Sequence, residues 1–62
     1  MLTVNFQRKI YDAYNKGKTL SNGNYEYCIR YNPMAATHTW IVRRFFADKE
    51  WVWVQPLDES IY

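Results

Sequence analysis

The sequence predicts an α+β domain, in which an N-terminal helix packs on an antiparallel meander sheet of three or four strands. Apolar residues recur at helical spacing over residues 5–16, and after Gly17 the apolar period changes from 3.6 to 2. Two later segments, 39–46 and 51–55, are rich in aromatic and β-branched residues, as strands are. A small SH3-like β-barrel, whose sheet curls over and buries its own inner face, is the alternative fold.

Length and composition indicate a single small globular domain spanning residues 1–62. With 48% hydrophobic and 23% charged residues, the chain lies outside the composition range of disordered proteins. A domain of this size buries only about 60% of the surface that its unfolded chain exposes. Aromatic residues make up 19% of the chain, and large rings supply the most buried area per residue to so small a core.

The helix is predicted over residues 5–16, "NFQRKIYDAYNK". Its apolar stripe is Phe6, Ile10, Ala13 and Tyr14. Asn5 or Thr3 can cap the first turn, and Gly17 stands where a left-handed residue often ends a helix. The alternation of Leu2, Val4 and Phe6 leaves open a brief strand ahead of the helix.

The strands follow from turn signals and from alternation. Asn22-Gly23 predicts a hairpin turn, since both residues tolerate positive φ. Residues 25–31 alternate as one strand, which ends at Asn32-Pro33, and a connector of about seven residues follows. A closing hairpin with a two-residue turn at Asp48-Lys49 would place Arg44 opposite Trp53 and Phe46 opposite Trp51.

This hairpin would have apolar side chains on both of its faces. One face, called the Trp face below, would carry Trp40, Val42, Arg44, Phe46, Trp51 and Trp53. The other would carry Ile41, Arg43, Phe45, Val52 and Val54. We expect the helix to lie on the second set, because mid-sized side chains interdigitate with a helix more easily than a row of indoles does. The Trp face would then have little to cover it.

Cysteine and histidine usage excludes several kinds of site. A single cysteine, Cys28, cannot form the disulfide framework of small secreted domains, so we expect a cytoplasmic protein. Cys28 and His38 are too few for a structural zinc site, and no metal is predicted. No signal peptide is evident, and no apolar run approaches the roughly 18 residues of a membrane span.

The segment "NKGKT", residues 15–19, resembles the end of a phosphate-binding P-loop but lacks the rest of that motif. The first glycine of the motif would fall at Asp12, and a helix rather than a strand precedes the segment. We therefore predict no nucleotide cofactor.

Charge is unevenly distributed along the chain, whose net charge is +2. Residues 1–46 carry seven basic and two acidic side chains, whereas residues 47–62 carry one basic and four acidic. An ordinary solvated surface and a basic patch are equally consistent with this distribution.

The leading hypothesis is a non-catalytic binding module, which docks on another protein or on a second copy of the chain. The residues expected to contact the partner are Trp40, Arg44, Phe46, Trp51 and Trp53. Large aromatic rings and arginine dominate the binding energy of protein interfaces. A chain of this size is typical of accessory and inhibitor proteins of phages and mobile elements.

The rival hypothesis is binding of single-stranded nucleic acid, with bases stacked on the same rings. Its phosphate-binding residues would be Lys16, Lys18, Arg30, Arg43 and Arg44. A third hypothesis is a small ribonuclease-type toxin using His38 with Arg43 and Arg44. A helix followed by a meander loosely resembles the double-stranded-RNA-binding scaffold of some such toxins, although "QPLDESIY" is too short for its closing helix.

Overall fold

The computed structural model describes residues 2–61, in which one helix precedes a four-stranded sheet. The elements are α1 Val4–Asn15, β1 Leu20–Asn22, β2 Tyr25–Tyr31, β3 Thr39–Phe45, β4 Val52–Pro56 and a 3₁₀ helix Glu59–Ile61. The strands pair antiparallel in chain order, with β1 and β4 at the two edges. The predicted α+β meander is confirmed. The barrel alternative is wrong, because the sheet stays open between its edge strands.

Capping residues fix both ends of α1. Thr3 is the N-cap, since its Oγ1 accepts a hydrogen bond from the Phe6 N–H at 3.1 Å. At the other end Gly17 has φ 74° and the Lys18 N–H donates to the Ala13 carbonyl at 2.9 Å, which is a Schellman motif. The predicted helix is thus confirmed to within one residue, with Thr3 rather than Asn5 as its cap. No strand precedes it within the described residues.

The buried face of α1 is rotated from the predicted stripe. Ile10 is almost fully buried, but Tyr14 is 47% exposed and Gln7 is only 3% exposed. The Gln7 side chain can be buried because both polar atoms of its amide are hydrogen-bonded. Nε2 donates to the Leu2 carbonyl at 3.0 Å, and Oε1 accepts from the Asp58 N–H at 2.9 Å. Gln7 therefore ties the segment before α1 to the segment after β4.

The first hairpin turns one residue later than predicted. Asn22 is still paired, with Tyr25, so the loop residues are Gly23 and Asn24. Gly23 has φ 62°, whereas Asn24 does not have a positive φ. A positive φ at the first loop residue alone is the pattern of a type II′ turn, which needs glycine at that position.

The closing hairpin differs from the prediction in its turn and its register. The chain turns directly after β3, where the Asp48 N–H donates to the Phe45 carbonyl at 3.0 Å, and six residues separate β3 from β4. Trp53 therefore lies opposite Val42 rather than Arg44. Because the shift is by two residues, Trp53 stays on the predicted face. A bulge opposite Ile41 and Val42 follows, with Val54 as the extra residue.

The core lies between α1 and one face of the sheet. Its buried residues are Ile10, Tyr27, Ile29, Ile41 and Leu57. The helix packs on β1, β2 and the 3₁₀ helix, so it does not reach the far end of β3 or β4. The helix was predicted to cover Ile41, Phe45, Val52 and Val54. This is confirmed for Ile41, which is in the core, and for Val54, which packs against it. It is wrong for Phe45 and Val52, which are 41% and 58% exposed.

The segment after β4 closes one end of the core. The Leu57 N–H donates to the Thr39 carbonyl at 2.9 Å, which holds the buried Leu57 side chain against the sheet. Asp58 then caps the 3₁₀ helix, with its Oδ1 accepting from the Ser60 N–H at 2.9 Å. This hydrogen bond favours the carboxylate and lowers the pKa of Asp58 below its ordinary value. Over residues 2–61, no helix has the length and apolarity to cross a membrane.

Candidate functional site

The Trp face is the side of the sheet opposite α1. The register places on it Glu26, Cys28 and Arg30 of β2, Trp40, Val42 and Arg44 of β3, and Trp53 of β4. The alternation of the strands puts these residues on one side, because Tyr27, Ile29 and Ile41 point the other way into the core. Three of the predicted interface residues, Trp40, Arg44 and Trp53, thus lie on the Trp face. A fourth, Trp51, belongs to the 46–51 connection and contacts arginines of this face.

Trp40 and Trp53 form a pair at one end of the Trp face. Their ring centroids are 6.0 Å apart with an interplanar angle of 81°, the edge-to-face arrangement that aromatic rings prefer. Trp40 is fixed further by its indole N–H, which donates to the Thr37 carbonyl at 2.6 Å. Trp53 remains 49% exposed. It is therefore an exposed ring held in place by an anchored one.

Trp51 lies between two arginine side chains of the Trp face. The guanidinium carbon of Arg44 lies 4.8 Å from the centre of its ring, and that of Arg30 lies 5.4 Å away. Arg30 and Arg44 stand at diagonal corners around the Cys28–Val42 pair. Val42 is only 1% exposed, although it points away from the helix, so side chains of the chain itself cover this part of the face. Trp51, held between the two arginines, is a large ring well placed to contribute to that cover.

Arg44 is held from two sides. Its Nε donates to Glu26 Oε1 at 2.9 Å, and its side chain is 32% exposed. Glu26 is the residue directly opposite on β2, and Thr19 Oγ1 donates to its other carboxylate oxygen at 3.0 Å. The guanidinium is thus positioned by a charge-assisted hydrogen bond and by the Trp51 ring.

Phe46 is the second strongly exposed ring near this face. It follows β3 directly, and its N–H donates to the Asn24 carbonyl at 3.1 Å, which continues the pairing of β2 and β3 into the turn. The Phe46 residue is 56% exposed. Of the four rings predicted to contact the partner, Phe46 and Trp53 are thus exposed, whereas Trp40 and Trp51 are half-buried.

The five residues predicted to follow a nucleic-acid backbone are not brought together. Arg30 and Arg44 lie at the Trp face, but Arg43 lies on the opposite face with its guanidinium 4.5 Å from the Tyr25 ring centre. Lys16 and Lys18 flank Gly17 at the C-terminal end of α1, on the helix side of the sheet. The five cations thus lie on both sides of the sheet, with two of them beside the tryptophans.

His38 is likewise distant from Arg43 and Arg44, the arginines of the ribonuclease hypothesis. Its ring packs against Tyr31, with centroids 4.9 Å apart, at the start of β3. Arg43 lies five residues further along this extended strand, which corresponds to about 17 Å. Across residues 2–61, no three His, Cys, Asp or Glu side chains come together as metal ligands would.

Sequence reasoning missed the role of Glu26 and the position of Trp51. Glu26 alternates with the tyrosines of β2, and a charged residue at a half-buried strand position signals a partner across the sheet. The alternation was visible in the sequence, but the half-burial of Glu26 was not. The position of Trp51 was not visible either, since it depends on the length of the turn that precedes it.

Comparison with known proteins adds no assignment. No protein-family model matches the chain, and it has no match among curated proteins or among solved structures.

Proposed function

We propose that the protein is a non-catalytic binding module, whose Trp face docks on another protein that presents apolar and acidic groups. The observation that carries the proposal is the exposure of Trp53, at 49%, on a ring that is already held against Trp40. A large ring ordered before contact loses little conformational entropy on binding. Such rings, with arginine beside them, are the usual centres of binding energy in interfaces.

Charge favours a different protein over a second copy of the chain. The Trp face carries Arg30 and Arg44 but only Glu26 as a counter-charge. In a two-fold dimer the same patch faces its own copy, so the excess positive charge of one copy would face that of the other. An acidic partner instead complements the excess positive charge. Arg44, held between Glu26 and Trp51, would fix the orientation of that partner.

Charge placement also favours protein over single-stranded nucleic acid. Nucleic-acid affinity depends on several cations along the path of the phosphates. Arg43 points to the opposite side of the sheet, and Lys16 and Lys18 lie at the end of α1. On the described strands, the arginines beside the tryptophans are then Arg30 and Arg44, of which Arg44 shares its charge with Glu26.

A photo-cross-linking side chain in place of Trp53 tests the proposal in the cells that naturally make the protein. We expect illumination to yield an adduct in which this chain is joined to a larger, acidic protein. The control carries the same side chain in place of Phe45, an aromatic residue of comparable exposure on the opposite face, and should give no such adduct. Excess wild-type protein should suppress the adduct, whereas excess Trp53→Ser protein should not.

Three results would reject the proposal. An adduct of twice the chain's own mass would indicate a homodimer through the Trp face. An adduct removed by nuclease would indicate nucleic acid. Equal adducts from positions 53 and 45 would mean that the Trp face has no special role in docking.

A further inference from the structure

One edge of the sheet is only half covered. Strand β2 has seven residues, but β1 has three, and their pairing ends at Leu20 opposite Tyr27. Beyond that point the chain leaves the sheet, because Lys18 is bonded to the end of α1. The second half of β2, from Cys28 to Tyr31, therefore has β3 on one side and no strand on the other.

The main-chain groups of Ile29 and Tyr31 point out of this open edge. In an antiparallel pair, alternate residues bond to the same neighbour. The Asn24 carbonyl accepts from Phe46, and the Asn32 N–H donates to His38 at 2.6 Å, so the even-numbered positions of β2 bond to β3. Ile29 and Tyr31 thus face the side on which β1 is missing. Neither has a main-chain partner there among residues 2–61.

Ile29 holds this edge in place, because its side chain belongs to the core and the residue is only 5% exposed. Main-chain donors and acceptors are nearly always hydrogen-bonded in proteins, to other residues or to water, so an open edge offers groups for pairing. Apart from hydrogen bonds between strands, the one hydrogen bond to the Ile29 main chain on the described chain is weak. It runs from Cys28 Sγ to the Ile29 carbonyl at 3.6 Å. A strand added at this edge would supply the missing partners.

A groove lies beside the open edge on the helix side. It has a volume of about 300 Å³ and is lined by Tyr11, Tyr14, Ile29, Arg30, Tyr31 and Thr39. Tyr14 and Tyr31 are 47% and 65% exposed. The side chains of an added strand that point toward the helix would enter this groove and meet these two rings. The groove therefore suits apolar side chains.

The opposite edge of the sheet lacks these features. Strand β4 carries a bulge at Val54 and ends in Pro56, which has no N–H to donate. Bulges and prolines are the usual means by which edge strands resist pairing with other chains. The fold thus protects one edge and leaves the other open.

We infer that the open edge of β2 is a second docking site, which meets the Trp face only at Arg30 and binds an extended peptide segment of a partner protein as an added antiparallel strand. The peptide residues opposite Ile29 and Tyr31 point into the groove and are apolar. The residue between them lies opposite Arg30, whose side chain is on the other face of the sheet and exposed. Charge complementarity makes that residue acidic, so the recognised pattern is apolar, acidic, apolar.

Nuclear magnetic resonance of the whole ¹⁵N-labelled protein tests this site with a defined probe. The probe is a blocked pentapeptide of the sequence Thr-Val-Glu-Val-Thr. We expect its addition to shift the amide signals of Ile29 and Tyr31 and to slow their hydrogen exchange, because these protons become bonded. The Trp53 indole signal should not move. The same peptide with N-methyl groups on both valines should have no effect, since it cannot bond to the edge.

A charge reversal gives a second readout that loss of structure cannot imitate. Arg30→Glu should weaken binding of the pentapeptide by about tenfold. A pentapeptide with Lys in place of Glu should show the reverse preference for the two proteins. If neither peptide perturbs Ile29 and Tyr31, or if the N-methylated peptide binds equally well, the inference is wrong. Protection of these amides on raising the protein concentration alone would also overturn it, since the edge would then pair with a second copy.

Discussion

Replacing Ile41 with alanine is expected to lower the free energy of unfolding by about 2–5 kcal/mol, as is usual for a large aliphatic side chain removed from a core. Ile41 is fully buried, with no exposed surface, between α1 and the sheet. For 62 residues the total stability expected at ~0.05–0.15 kcal/mol per residue is about 3–9 kcal/mol. This one change would thus remove much of the stability, and in the lower part of that range it would unfold the protein.

Urea denaturation of the variant measures this loss, with Val52→Ala as the matched control. Val52 is also an aliphatic strand residue, but it is 58% exposed. We expect its replacement to change the free energy of unfolding by no more than about 0.5 kcal/mol. Similar losses for the two variants would mean that the core does not lie where the fold places it.

The second large effect is that Trp51→Ala should mainly lower the stability of the protein, whereas Trp53→Ala should mainly weaken its binding to the partner. Trp51 lies between two arginines that flank the Cys28–Val42 pair, so Trp51→Ala should expose Val42 and lower the free energy of unfolding by about 1–3 kcal/mol, less than for a fully buried tryptophan. Trp53→Ala loses mainly its edge contact with Trp40, which is worth about 0.5–1.5 kcal/mol. Its larger effect should be on binding, at about 2 kcal/mol or more.

Two measurements on each variant separate these roles: urea denaturation, and affinity for the protein captured from position 53. Trp51→Ala should change mainly the first and Trp53→Ala mainly the second. Phe46→Ala should behave like Trp53→Ala, since Phe46 is 56% exposed. A Trp53→Ala protein that loses more stability than Trp51→Ala would show that Trp53 belongs to the structure rather than to the interface.

Local signals predicted the fold because each element carries its own. The helix is bounded by Thr3 and Gly17, and both caps form as their residue types require. The turn at Gly23 and the alternation of residues 25–31 likewise specify the first hairpin without reference to the rest of the chain.

The turn position and the register of the closing hairpin could not be predicted from such local signals. Nothing in residues 46–51 distinguishes a tight turn at Asp48-Lys49 from one directly after Phe45. The register was therefore wrong by two residues, yet the faces were right, because side chains alternate with a period of two. The position of Trp51 depends on this turn and could not be predicted.

Buried residues at the chain ends were missed for a related reason. Gln7 is polar and lies beside the apolar stripe, so its burial depends on hydrogen bonds to Leu2 and Asp58, far apart in sequence. Leu57 stands in a segment without periodicity, and only its pairing with Thr39 directs it into the core. Tertiary contacts decide such positions, and local propensity does not describe them.

The absolute mass in solution tests most directly the claim that the Trp face is an open docking surface for a different protein. Light scattering behind a sizing column, at a low and a high protein concentration, should give the monomer mass of 7.6 kDa in both cases. Trp53 should remain accessible to a small fluorescence quencher throughout. A stable dimer in which Trp53 becomes protected from the quencher would contradict the account, because the Trp face would then be occupied by a second copy of the chain.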